Sequence, residues 1–307
     1  MWPISSLDSK AVFMKILLTG KDGQIGFVLH KKLVSLCEVF ATNRDMLDLT
    51  NPERIRAFIQ KNKPDIIINA AAYTNVDKAE TEIELAQKVN TAAPRILAKM
   101  ASQLNIPIIH FSTDYVFDGF KNEPYMETDK ANPQSVYGQT KWEGEEAVRQ
   151  HKKHIILRTS WVFGRYGQNF LKTILKLIQE KSSLNIVSDQ IGSPTSADVI
   201  ADVTYKIIET ILNKANFKDF GTYHIALEGE TDWFNYASFV TNEAIRLGLR
   251  TTMTSKDIKS ISSDIYSTLA RRPMNSTLDT TKIKETFMLE LVDWKREVSS
   301  LLKNYND

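Results

Sequence analysis

A single cysteine, Cys37, stands in the 307 residues. One thiol excludes an internal disulfide framework and fits a reducing cytoplasm. No apolar run approaches the roughly 20 residues that a membrane-spanning helix needs, so no membrane association is expected. Basic residues are spread out rather than run together, and the formal net charge is only +2. Nucleic-acid binding is therefore not expected, and any anion site must be local. The five histidines show no ligand spacing; His151 and His154 read as surface residues straddling a helix end and a strand. Internal repeats and low-complexity tracts are missing as well. Residues 1–13 carry Asp8 and lack the basic start and apolar centre of a signal peptide. They read as a short extension before a second methionine, Met14.

What is present is alternation of short apolar runs with helical patterns, which predicts parallel βαβ units. Strands are expected at 16–18, 39–42, 65–69, 106–112 and 154–158, with helices over 24–36, from Asn51-Pro52 onward, and over 135–151. The stretch 79–104 reads as one long helical region kinked near Pro94. Further on, 170–181 and 197–212 have helical spacing, 222–226 reads as a strand, and 251–268, rich in Ser, Thr and Asp, reads as a long functional loop. The expected fold is an α/β doubly wound Rossmann sheet with a smaller C-terminal substrate-binding lobe. Its dinucleotide-binding part would span 14–166, with 196–226 returning to it, and the lobe 167–195 and 227–307.

The chemistry sits at three places in the first half. Gly20-Lys-Asp-Gly23-Gln-Ile-Gly26 follows a strand and opens a helix. Glycines there let the backbone approach a pyrophosphate, and the helix N-terminus offers amide donors to it. Strand two ends in Thr42-Asn43-Arg44, without the acid that usually holds the ribose diol of NAD; Arg44 suits the 2′-phosphate of NADP. NADPH is thus expected over NADH. Downstream, Thr113 ends an apolar run, and Tyr137 and Lys141 lie four residues apart, on one face of a helix. A cation beside a phenol favours its ionisation. Such a phenol can exchange a proton with a substrate oxygen that the Thr113 hydroxyl also binds. The set predicts carbonyl reduction by a nicotinamide cofactor.

Several longer motifs make a resemblance specific: Asn69-Ala-Ala-Ala-Tyr-Thr-Asn-Val-Asp-Lys-Ala-Glu80, Ser112-Thr-Asp-Tyr-Val-Phe-Asp-Gly119, Tyr137-Gly-Gln-Thr-Lys141, Arg158-Thr-Ser-Trp-Val-Phe163, Asp189-Gln-Ile-Gly-Ser-Pro-Thr195 and Ala270-Arg-Arg-Pro-Met-Asn-Ser276. Through them the chain, from Met14 onward, resembles the extended short-chain dehydrogenase/reductases, and among these the dTDP-4-dehydrorhamnose reductase family. The resemblance implies reduction of the C4 ketone of a dTDP-sugar, with Thr113, Tyr137 and Lys141 catalytic. It implies a cofactor set of Gly20, Gly23, Gln24, Ile25, Gly26, Asn43, Arg44, Asp48, Leu49, Ala70, Ala71, Ala72 and Tyr73, joined by Tyr137 and Lys141. The substrate set it implies is Thr74, Val76, Thr113, Asp114, Tyr115, Trp161, Arg271 and Asn275, with Arg271 toward the diphosphate. Some family members dimerise through a divalent cation held by an acid in the first helix. Val28 stands at that position, so no structural metal is expected and the chain should be a monomer or weak homodimer. Two other readings stay open: a reductase or epimerase of another nucleotide sugar, and a non-catalytic regulatory subunit of methionine adenosyltransferase.

Overall fold

The computed structural model describes residues 14–214, 216–266 and 268–305; the extension expected at 1–13 lies outside the described residues. Chain order in the first half is β1 (Lys15–Thr19), α1 (Gln24–Leu33), β2 (Glu38–Thr42), α2 (Pro52–Asn62), β3 (Ile66–Asn69), α3 (Val76–Ala79), α4 (Ile83–Gln87), α5 (Ala93–Leu104), β4 (Ile108–Thr113), α6 (Val136–Arg149) and β5 (His154–Thr159). Next come β6 (Val162–Phe163), α7 (Phe170–Glu180), β7 (Leu184–Val187), β8 (Ile191–Gly192), β9 (Thr195–Ser196), α8 (Ala197–Asn213) and β10 (Gly221–Ile225). The chain closes with β11 (Thr231–Asp232), α9 (Trp233–Arg246), β12 (Ile258–Ile261), α10 (Thr281–Phe287) and α11 (Trp294–Lys303).

Six strands form one parallel sheet in the order β10-β5-β4-β3-β1-β2. The order reverses beside β1, and in such sheets ligands bind at the strand C-terminal ends near that switch. Strand β3 shows why a parallel sheet forms. Ile66 and Ile68 face the core under α1, α8 and α10, while Ile67 faces the core under α2, α5 and α6. An Ile-Ile-Ile run is stable only with both faces covered, each side chain contributing about 1.5–3 kcal/mol.

The region expected as one kinked helix is broken twice. It stops after Ala79 and restarts at Ile83, and the turn Lys88–Ala92 widens to a π-helix before α5. Pro94 has no N–H for the Asn90 carbonyl. That carbonyl instead faces α6, where a β-carbon on Gly144 would lie 2.1 Å from its oxygen. The proline and the glycine, far apart in sequence, together let α5 and α6 close on each other.

Residues 251–268 also differ from expectation. The run Ile258–Ile261 forms β12 and pairs in parallel with β7, Ile258 opposite Leu184 and Ile261 opposite Val187. Burial of Ile258 supplies the reason; the flanking Ser, Thr and Asp residues mask a four-residue strand. Helices α7, α9 and α11 enclose a separate core that includes Ile174, Ile178, Tyr236, Val240 and Trp294. No helix among the described residues is long and apolar enough to cross a membrane.

Candidate functional site

The glycine turn follows directly from β1. Gly20 has φ +76°, and a β-carbon on it would lie 2.7 Å from Ala71 Cα, so only glycine fits against the end of β3. The Gly23 amide donates to the Gly20 carbonyl at 3.0 Å. A β-carbon on Gly26 would sit 2.0 Å from that same carbonyl oxygen, which makes Gly26 a helix–strand packing position. Beyond the turn opens a cavity of about 360 Å³, lined by Gly20, Gly23, Asn43, Arg44, Asp48, Leu49, Ala71, Ala72 and Tyr73 among others. Small residues on its floor and basic Arg44 at its rim fit the adenosine half of a dinucleotide. The side chains of Gln24, Ile25 and Ala70 turn to other partners, though the Ala70 backbone lies beside Gly20. Gln24 donates to the Val162 carbonyl and accepts from Asn169, and Ile25 and Ala70 pack on the apolar core.

Asn90, which no sequence signal marks, fixes the next loop. Its Oδ1 accepts from the Tyr73 amide at 2.8 Å, and its Nδ2 donates to the Tyr73 carbonyl and to Thr140 Oγ1. The π-turn aims this side chain at α6.

Thr113 ends β4, and its Oγ1 caps the short turn Asp114–Val116 by accepting from the Tyr115 amide at 3.2 Å. Ser135 caps α6 through the Gly138 amide at 3.1 Å. A β-carbon on Gly138 would lie 2.3 Å from the Tyr115 carbonyl oxygen. That absence lets the first turn of α6 meet the Thr113 turn, and it brings the Tyr137 and Tyr115 rings to 5.6 Å, edge to face. Burial pushes the Tyr137 phenol up to about 12, against a hydrogen bond with Thr113 and reinforced by the nearby Asp114 charge. Burial likewise raises Asp114 to about 6, against hydrogen bonds from Ser276 and Thr113.

The expected lowering of the phenol by Lys141 is not what the structure shows. Lys141 is buried, and its Nζ donates to the Phe111 carbonyl at 2.6 Å. Loss of water brings the ammonium down to about 8, and the carboxylate of Glu145, one turn further on, works the other way. Glu145 is itself fully buried against Arg158, whose Nε and Nη2 donate to it at 2.9 and 2.7 Å. Arg149 Nη2 also donates to Glu145 at 2.7 Å, so three cations share one carboxylate beneath the site, and desolvation decides the state of the lysine. For reduction this is a usable state, since a phenol that keeps its proton is a proton donor.

A second cavity, of about 660 Å³, reaches Asp118, just past the Asp114–Val116 turn. Phe120, Phe170, Gln190, Trp233, Arg271 and Arg272 lie on its wall. Arg271 rests over the Phe120 ring at 5.4 Å. Arg272 pairs with Asp77 at 2.8 Å, and the Ala270 amide donates to the same carboxylate. Trp161 stacks on Trp233 with ring centroids 3.4 Å apart and has φ +45°. Gly192 presses on its other side, where a β-carbon would fall 2.5 Å from the indole. Trp233 thus reaches the cavity wall with Trp161 stacked on it; nothing in the Thr231-Asp-Trp233 sequence signals this. Asn275 is placed as a clamp, donating to the Lys121 and Asn122 carbonyls and accepting from the Thr277 amide and hydroxyl. Its amide has no hydrogen-bonding position left for a ligand. Thr74 is exposed, and Val76 is half-buried at the start of α3.

The surface reading of His151 is corrected, while His154 is half-buried at the start of β5. His151 is buried, its Nε2 2.8 Å from the Ile106 carbonyl, and His154 Nδ1 lies 2.6 Å from the His151 carbonyl. Val28 is half-buried on α1 and packs against the core.

A parallel sheet with a glycine turn at its switch point, followed by a threonine, tyrosine and lysine converging at the end of β4, defines a short-chain dehydrogenase/reductase. The family model described as RmlD substrate binding domain matches residues 14–307. The chain is 41% identical over 294 residues to a dTDP-4-dehydrorhamnose reductase of Escherichia coli (strain K12), covering 94% of this chain and 97% of that protein. A crystal structure of a dTDP-4-dehydrorhamnose reductase from Clostridium acetobutylicum superposes with a TM-score of 0.87 at 34% identity, over 96% of this chain and 100% of that one. The Bacillus anthracis reductase, solved in complex with NADP, gives a TM-score of 0.87 at 30% identity, over 95% of this chain and 100% of that one. This chain belongs to the dTDP-4-dehydrorhamnose reductase family.

Proposed function

We propose that the chain reduces the C4 ketone of dTDP-4-dehydro-β-L-rhamnose to dTDP-L-rhamnose, with NADPH as donor and NADH as a possible substitute. The observation that carries the reading is that Thr113, Tyr137 and Lys141 meet at the end of β4, Tyr137 against Thr113 and Lys141 on the Phe111 carbonyl, in a chain of this family over nearly its full length. A bound nicotinamide supplies hydride to the carbonyl carbon. Tyr137 gives its proton to the oxygen that becomes the C4 hydroxyl. The Thr113 hydroxyl, which without substrate donates to Asp114 Oδ1 at 2.9 Å, turns that one proton to the same oxygen and so stabilises negative charge where it develops. Lys141 holds a positive charge beneath the phenol when protonated, which favours the tyrosinate left behind.

The dinucleotide lies against Gly20, Asn43, Arg44, Ala71, Ala72 and Tyr73. The sugar nucleotide enters the larger cavity toward Arg271, with Tyr115 and Asp114 near its reacting end and Trp233, backed by Trp161, on the wall. The substrate lobe comprises 167–195 and 227–307 apart from α10, whose Ile283 and Phe287 pack on the core of the sheet. The free thiol of Cys37 fits a reducing compartment. A coupled assay with freshly generated dTDP-4-dehydro-L-rhamnose, following oxidation of NADPH and NADH separately, tests the reading. Turnover is expected with the wild type; tight dinucleotide binding without turnover would overturn it.

A further inference from the structure

Strand β2 ends at Thr42 and leaves no acid at its tip, the place from which a carboxylate usually holds the ribose diol of NAD. A carboxylate reaches the same cavity from the neighbouring glycine turn. Asp22, in the glycine turn, lines the 360 Å³ cavity together with Asn43 and Arg44. Asn43 Nδ2 donates to Asp22 Oδ2 at 2.8 Å, and Asn43 Oδ1 accepts from the Met46 amide at 3.2 Å. Asn43 therefore ties the loop after β2 to the glycine turn and fixes where the Asp22 carboxylate stands. Lys21 Nζ lies 3.4 Å from Asp22 Oδ1, and the Lys21 amide donates to the Thr42 carbonyl. Asp48 is the other acid on this wall, its Oδ1 turned to the Thr50 amide and hydroxyl of its own loop.

We infer that Asp22 determines coenzyme specificity, standing in for the absent strand-two acid as an acceptor for the adenosine ribose hydroxyl and opposing the pull of Arg44 on a 2′-phosphate. The Asn43 hydrogen bond holds the Asp22 carboxyl below the usual carboxylate range, so its charge is present throughout the neutral region. Asp22 and Arg44 line one cavity and favour different coenzymes. The site consequently discriminates weakly, and removing either charge unbalances it in a known direction. The inference rests on the dinucleotide reading given above.

Equilibrium binding of adenosine 2′,5′-bisphosphate and adenosine 5′-monophosphate tests it without turnover, because the two probes differ only in the 2′-phosphate. In Asp22→Asn the bisphosphate-to-monophosphate affinity ratio is expected to rise about tenfold at low salt, the scale of one unscreened charge at close range. In Arg44→Gln the ratio should fall by a similar factor, and the NADPH-to-NADH ratio of kcat/KM should follow in both variants. A ratio that stays at the wild-type value in Asp22→Asn, while Arg44→Gln lowers it, overturns the role of Asp22 and leaves the dinucleotide reading intact. If the wild type binds neither probe, nor NADPH or NADH, the dinucleotide reading fails and the inference with it.

Discussion

Tyr137 and Lys141 lie one turn apart on α6, and the fold removes water from both. Tyr137 is raised to about 12 and keeps its proton across the working range. Replacing it with Phe should lower kcat by about 10²–10⁴ through loss of the general acid, while NADPH titration of the variant still shows binding near wild-type strength. Loss of coenzyme affinity along with turnover would contradict the assigned role. Lys141, brought down to about 8, loses its charge at mildly alkaline pH. The affinity of the free enzyme for NADPH should therefore decline as pH rises through about 8, which fluorescence titration across that range would show. Asp114 gives a stability signal of its own. Its carboxyl is raised from 3.8 to about 6 in the folded chain, so between those values the folded state binds more protons than the unfolded one. Stability then falls as pH rises through that window, by at most about 3 kcal/mol for this group. Asp114→Asn should flatten the step in urea unfolding curves measured at a series of pH values; a step of unchanged size would place its origin elsewhere.

Among the elements, α6 carries the two reactive side chains, and glycines set how closely it packs. Gly138 meets the Tyr115 carbonyl and Gly144 meets the Asn90 carbonyl freed by Pro94. Gly144→Ala should cost about 1–3 kcal/mol as an overpacked contact. It should also reduce turnover, because the π-turn that must shift carries Asn90, and Asn90 holds Tyr73. Thermal unfolding and kcat measured on the same preparation would check both effects. The Tyr-x-x-x-Lys spacing was legible from the sequence because it follows helical periodicity. The π-turn was not, because its cause is the missing N–H of Pro94 meeting a helix some fifty residues away. β12 escaped notice for a related reason: four residues give too short a period, and its partner β7 lies more than seventy residues upstream.

Across the whole molecule, the chain segment after β12 is tied over the larger cavity at both ends. Ser262 and Ser263 hydrogen-bond Asp189, and Arg272 and the Ala270 amide bind Asp77. The Arg272–Asp77 pair is partly exposed, so it contributes about 1 kcal/mol, a factor of about five in an equilibrium. Asp77→Asn should raise KM for the sugar nucleotide by about that factor and leave KM for NADPH unchanged. A rise in both would show that the pair supports the whole fold rather than the cavity wall.

The sequence by itself determined the parallel sheet, the glycine turn at its switch point and the order of Thr113, Tyr137 and Lys141, since each is written in local periodicity or in a short motif. Only the tertiary structure decided the rest. It turned Lys141 to the Phe111 carbonyl, set Glu145 between Arg158 and Lys141, used up the amide of Asn275 and brought Trp233 to the cavity wall. These outcomes depend on burial and on partners distant in the chain. Burial also fixes which protons the buried groups keep, and the linear pattern of residues does not record it.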